Sequence, residues 1–257
     1  MKISYFILPI LLLQACDSKK ESTEEVTQSA STWEEFHYPE VEFVLDDPQG
    51  RAKNFKEFVP DLEELIKEEA LAVSKILYEK PNEVPRVDSV IYTVCEFEGL
   101  SGKGGVRPII HFVFGSQYFA TMLDSLDKEA IREEIIGVMV HEVAHAYQKD
   151  CKYEGDGWSV IEGIADAVRY LEGYVDLSHQ KVGGSYQDGY KTTGFFMVWI
   201  MQNKDKDFLK KLNKSLEENY DWKWDENILN LTGQSVDSLW EEYQNYLQTN
   251  EAAAPLS

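Results

Sequence analysis

The chain has 257 residues, with 46 acidic against 25 basic side chains and a formal net charge of −21. So large an acidic excess repels nucleic acid and anionic lipid headgroups, which excludes a nucleic-acid partner and a basic membrane-binding patch. The length suits one sizeable core rather than several domains.

The N-terminus reads as an export signal. Lys2 precedes an apolar stretch, Ile3 to Leu13, too short to span a bilayer, and Leu13-Gln14-Ala15-Cys16 looks like a lipobox. Residues 1–15 are therefore expected to be a lipoprotein signal peptide, with Cys16 lipidated. The mature chain would then be exported and anchored to a bacterial cell envelope, on a periplasmic or outer-surface face, through that lipid alone. The alternative is an ordinary secretory signal with a chance cysteine. Residues 16–32 are polar and lack aromatics, as a flexible tether does, and residues 33–257 would form a single domain.

Within that domain, Val41 to Leu45, Val87 to Phe97 and Pro108 to Phe114 are rich in β-branched and aromatic residues and predict strands, with the glycines of Gly99 to Gly105 marking a turn. Phe58 to Tyr78 carries helical periodicity in Leu62, Leu65, Ile66 and Leu71 and ends before Pro81. A second helix is predicted from Lys128 to Lys149, where Ile131, Ile135, Val138, Met139 and Val143 recur at three- and four-residue steps and Asp127 stands at the N-cap. Further helices are predicted over Trp158 to Leu171, Tyr190 to Met201, Asp207 to Glu218, Glu226 to Leu231 and Val236 to Leu247. A small sheet followed by helices is the α+β class. Besides Cys16 there are only Cys95 and Cys151; an exported protein could bridge them, or they could stay as two buried thiols.

The second helix contains His141-Glu142-Val143-Ala144-His145, an H-E-x-x-H motif. Residues four apart share one helix face, so both imidazoles can close on one metal ion, with Glu142 beside the open coordination position. Two histidines and one carboxylate leave that position for water, whose pKa a zinc ion lowers to about 7, and Glu142 can take the water's proton as general base. The bland alternative is a pair of core histidines and a solvated glutamate on an amphipathic helix.

The third ligand is sought downstream. Trp158 to Val168 is apolar except for Glu162 and Asp166, which lie four residues apart on one helix face. Carboxylates in such surroundings need partners. Glu162 as metal ligand, with Asp166 accepting the outer N–H of a ligating histidine, satisfies both. The competing reading is a capping box, Ser159-x-x-Glu162, which leaves Asp166 unexplained.

The run Gly137 to Gln148, followed by Ile161 to Arg169, Gly173-Tyr174 and Tyr186 to Thr193, resembles the plant basic secretory protein family, zincin-type metallopeptidases with bacterial members; the likeness spans about residues 85 to 248. The E-G-x-x-D pattern is also similar to that of the thermolysin-like zinc peptidases, whose glutamate ligates the metal and whose aspartate supports a ligand histidine. The resemblance implies a zincin-like fold, a Zn2+ cofactor and a peptide or protein substrate. It also implies that the last strand before the motif helix, Ile109 to Phe114, is an exposed antiparallel edge on which peptide adds, with His111 in position to touch substrate.

For the oxyanion of a tetrahedral intermediate, Tyr190 and Tyr186 are the candidate donors; the alternative is that they pack under Phe195, Phe196 and Trp199. Together these features predict a zinc metalloendopeptidase of the cell envelope. Two other readings stay open: a non-catalytic binding or scaffolding lipoprotein with a structural or vestigial metal site, and a zinc hydrolase of a non-peptide envelope substrate. Nothing in the sequence fixes the oligomeric state.

Overall fold

The computed structural model describes residues 32–253; the expected signal peptide, Cys16 and all of the tether but its last residue lie outside them. In chain order the elements are β1 (Glu40–Asp46), α1 (Phe55–Phe58), α2 (Leu62–Leu77), β2 (Ser89–Cys95), β3 (Ser101–Val106), β4 (Ile109–Gly115), α3 (Ser116–Ser125), α4 (Lys128–Tyr147), α5 (Asp156–Leu171), α6 (Tyr190–Asn203), α7 (Phe208–Glu218), α8 (Trp224–Thr232) and α9 (Val236–Ala253). This is α+β, a small mixed sheet followed by a helical C-terminal half.

Period-two burial builds the sheet. Val90, Tyr92 and Val94 of β2 and Ile110, Phe112 and Phe114 of β4 point into the core, while Ile109 and His111 face out. The strand order is β1-β2-β4-β3; the first three are parallel and β3 runs antiparallel to β4.

Two expectations are corrected here. Ile109–Phe114 is not an edge, because β4 is paired on both sides, and His111 sits opposite Ile91 and Gly104 on the outer face. The antiparallel edge is β3, Ser101-Gly102-Lys103-Gly104-Gly105-Val106, the stretch whose glycines predicted a turn; the other edge is β1. Glycine is a poor strand former by itself, but here the whole segment is held in register by its ladder with β4, from Ser101 opposite Phe114 to Val106 opposite Ile109. The sequence also gave no sign of α3. Cys95 and Cys151 are both free thiols.

The motif helix α4 starts as expected, with Asp127 accepting a hydrogen bond from the Ala130 N–H at 2.9 Å, and it stops two residues earlier than predicted, at Tyr147. It packs between α2 and α5 with β3 alongside, so almost every residue from Ile135 onward is buried. An apolar periodic stripe suffices for one packing partner; three partners bury the helix all round.

Helix α5 begins at Asp156, which places Ser159 inside the first turn. Its hydroxyl donates to the Asp156 carbonyl and accepts from the Trp224 indole, so the capping-box reading of Ser159 and Glu162 fails. Behind α5 lies α6, and the crossing is tight because both helices present glycine. A Cβ on Gly163 would strike Thr193 and Met197, and one on Gly194 would lie 2.8 Å from the Ala167 nitrogen and 3.0 Å from the Asp166 carbonyl carbon. Backbone cannot yield as a side chain can. Gly194→Ala is therefore expected to lower unfolding free energy by about 1–3 kcal/mol through overpacking, measured by denaturant titration; an unchanged midpoint would mean the crossing has slack.

Glu69, on α2, is 8% exposed, and its Oε2 is buried without a partner. Burial, with the charges of Glu172 and Glu68 nearby, pushes its pKa up to about 7. A raised carboxylate pKa gives stability that is complete below about 4.5 and is lost as pH rises through 7. Glu69→Gln is thus expected to stabilise the fold at pH 8 by on the order of 1–3 kcal/mol and to change little at pH 4. Equal effects at the two pH values, read from thermal melting, would contradict this.

Candidate metal centre

The face of α4 that carries Glu134, Val138, His141 and His145 looks across at the face of α5 that carries Glu162, Asp166 and Arg169. At the centre of that interface the Nε2 atoms of His141 and His145 are 3.0 Å apart, and Oε2 of Glu162 lies 3.2 Å from the first and 3.6 Å from the second. His141 and Glu162 are buried and His145 partly so, and these three residues could hold a metal ion. A point equidistant from the corners of such a triangle lies roughly 1.9 Å from each, which is metal-bond length for nitrogen and oxygen donors.

Asp166 stands behind the first imidazole, its Oδ1 2.8 Å from His141 Nδ1. Burial works against a charge on His141, but Asp166 and Glu162 outweigh it and carry the pKa up to about 10. Burial likewise works against an ionised Glu162, yet His141, His145 and Tyr153 hold it well below the usual carboxylate range. The cluster is thus an anionic cage around two imidazoles, the donor chemistry that a divalent cation fits.

Glu142 is 4% exposed; its Oε1 accepts a hydrogen bond from the Ser101 hydroxyl, and its Oε2 is buried with no partner. Ser101 opens the edge strand β3, so the strand nearest the motif helix pins the glutamate. Tyr190 lies with its ring 6.0 Å from and nearly parallel to that of His141, edge-on to Trp158, and half exposed. Its φ of 46° is left-handed for a non-glycine residue, directly after Gly189 at 71°. Tyr186 is elsewhere: it packs on Phe196, Trp224 and Trp240 and donates to Asp237 at 3.0 Å, so the packing alternative holds for it and not for Tyr190.

A cleft of about 1140 Å³ opens over the cluster. Ser101, Gly102 and Lys103 of β3 line it, as do Tyr190 and Lys191 of α6, and Tyr118, Glu134 and Arg169 line it further along α4. There the Tyr118 hydroxyl and the Arg169 guanidinium both bond to Glu134, at 2.9 and 2.8 Å. His111 does not line the cleft.

Sequence reasoning missed three contacts. Tyr153 donates its hydroxyl to Glu162 Oε1, Ser101 holds Glu142, and Gln148 backs His145 at 2.9 Å. Ser101 and Tyr153 sit in segments without periodicity, and only the fold brings them to the cluster. Gln148 was visible as part of H-E-x-x-H-x-x-Q, three residues past His145 and so on its side of the helix.

No curated protein and no solved structure matches this chain. A family model described as peptidase of plants and bacteria matches residues 39–243, which takes in the whole sheet and all the site residues. With that match over most of its length, the chain belongs to the BSP family of plant and bacterial peptidases.

Proposed function

We propose that the protein is a zinc-dependent endopeptidase in which His141, His145 and Glu162 bind the metal and Glu142 is the general base and acid. The observation that carries this is the triangle of donor atoms, whose size suits zinc–ligand bonds of about 2.0–2.2 Å. A zinc ion held there supplies Lewis acidity to the scissile carbonyl and lowers the pKa of an attacking water toward 7. Glu142 Oε2, buried and unpartnered, is free to accept that water's proton, while Ser101 keeps the other oxygen in place. The same carboxylate then hands the proton to the leaving amine. Asp166 orients His141 through Nδ1.

Tyr190 is the donor we assign to the developing oxyanion. Its hydroxyl makes no hydrogen bond among the described residues and its ring is already seated over His141, whereas the Tyr153 hydroxyl is engaged by Glu162. Substrate would lie in the cleft along the outer side of the edge strand β3, adding as a further strand. Glycines at 102, 104 and 105 leave Lys103 and Val106 as the large side chains on that strand. The lipobox ending at Cys16 supports an envelope-anchored enzyme whose only membrane attachment is its lipid.

A structural metal site normally fills its fourth position with a protein ligand. Here, among the described residues, the group of donors numbers three and lines a cleft, which favours catalysis over scaffolding.

Glu142→Gln is expected to lower peptide hydrolysis by about 10²–10⁴-fold while zinc content stays at one per chain. Undiminished hydrolysis of an unstructured polypeptide by this variant would remove Glu142 from the mechanism. Tyr190→Phe, which keeps the ring over His141, is expected to reduce kcat about 10²–10³-fold with KM little changed; a variant that loses only substrate affinity would make Tyr190 a binding residue instead.

A further inference from the structure

Gln148 is the first residue past α4. Its N–H still bonds to the Ala144 carbonyl, but its ψ of 156° takes the chain out of the helix. The backbone there is clamped on both sides. Arg107 donates to the Gln148 carbonyl at 2.9 Å, and the Lys149 N–H donates to Asn213 Oδ1 at 2.8 Å, with Asn213 itself tied to the Leu77 carbonyl at 3.2 Å. Held this way, the Gln148 side chain folds back under the last helical turn. It is 1% exposed, and its Nε2 lies 2.9 Å from Nδ1 of His145. The other end of the carboxamide, Oε1, is buried with no partner.

The two imidazoles are therefore backed in parallel, His141 Nδ1 by Asp166 and His145 Nδ1 by Gln148. The two backing groups differ in what they can do. An imidazole that offers Nε2 to a metal carries its remaining ring proton on Nδ1 and needs an acceptor there. No other protein group among the described residues hydrogen-bonds His145 Nδ1. A half-turn about the terminal bond of a carboxamide exchanges its NH2 and its oxygen while every other atom stays in place.

We propose that Gln148 is a positioning residue that sets the tautomer of His145. With Oε1 turned to Nδ1–H, it leaves Nε2 bare to ligate metal; with NH2 turned to Nδ1, as in this structure, it stabilises the ring whose proton is on Nε2. One side chain can match either tautomer. A carboxylate at this position could only accept, and an aliphatic group could do neither. The proposal rests on the reading of His141, His145 and Glu162 as metal ligands.

The test compares full-length wild type, Gln148→Leu, Gln148→Glu and His145→Ala by zinc titration against a competing chelator, with thermal melting of the metal-free proteins as the control for folding. One zinc per wild-type chain, lost in His145→Ala, establishes the site itself; no zinc bound by wild type would overturn both the reading and this proposal. With the site established, Gln148→Leu is expected to bind zinc about 10–100-fold more weakly and Gln148→Glu to stay within about threefold of wild type. Leu and wild type binding alike, or Glu as weak as Leu, would overturn the proposal and leave the site standing. Nitrogen-15 spectra of the zinc-loaded wild type supply a readout independent of the variants. They should show the His145 proton on Nδ1, exchanging slowly with solvent; a rapidly exchanging proton there would mean that nothing holds it.

Discussion

Ionisable groups buried together between two helices are the constraint on which this structure turns. Two imidazoles and three carboxylates, Glu142, Glu162 and Asp166, lie at the interface of α4 and α5, nearly all withdrawn from water. Unpaired, any of them would weigh heavily against folding; together they form a network in which most polar atoms have a partner. What is left over is informative. The Glu142 oxygen that faces nothing and the imidazole nitrogens that face one another are arranged for something other than stability.

The packing around that network is set by small residues. Gly137 on α4 lets the Arg169 guanidinium of α5 lie against the helix, where a Cβ would come within 2.7 Å of Nε. On the far side of α5, Gly163 and Gly194 draw α6 close, and with α6 comes Tyr190 at its first position. The chain enters α6 through two successive left-handed residues, and this entry lays the tyrosine ring over His141. Glycines within the motif regions thus act on the site at one remove, by fixing how near the helices stand.

How much of this was legible in the sequence follows from how each signal is carried. His141, Glu142 and His145 are fixed by spacing on one helix, and Glu162 with Asp166 by spacing on another, so periodicity alone could pair them. The buried strands β2 and β4 announced themselves through β-branched and aromatic runs. Strand β3 did not, because Gly102, Gly104 and Gly105 carry no strand preference and owe their conformation to the ladder with β4. The misplaced edge had another source: the family resemblance assigned it to the last strand before the motif helix, which is β4, whereas β3 pairs outside it. Ser101 was invisible for a related reason, since it meets Glu142 across 41 positions only after the sheet has docked, while Tyr153, nine positions from Glu162, sits in the connection between α4 and α5, which carries no periodicity.

The donors are split between α4 and α5, with His145 and Glu162 on opposite sides of the connecting segment. An ion shared by them would therefore act as a cross-link as well as a reagent, closing a chain loop otherwise held by packing and by the bonds of Asp166 to His141 and Arg169 to Glu134. Its binding energy would be available to the folded chain and not to the unfolded one, so the lifetime of the protein would depend on how well its surroundings supply the ion. Scarcity would then remove the protein itself along with its turnover.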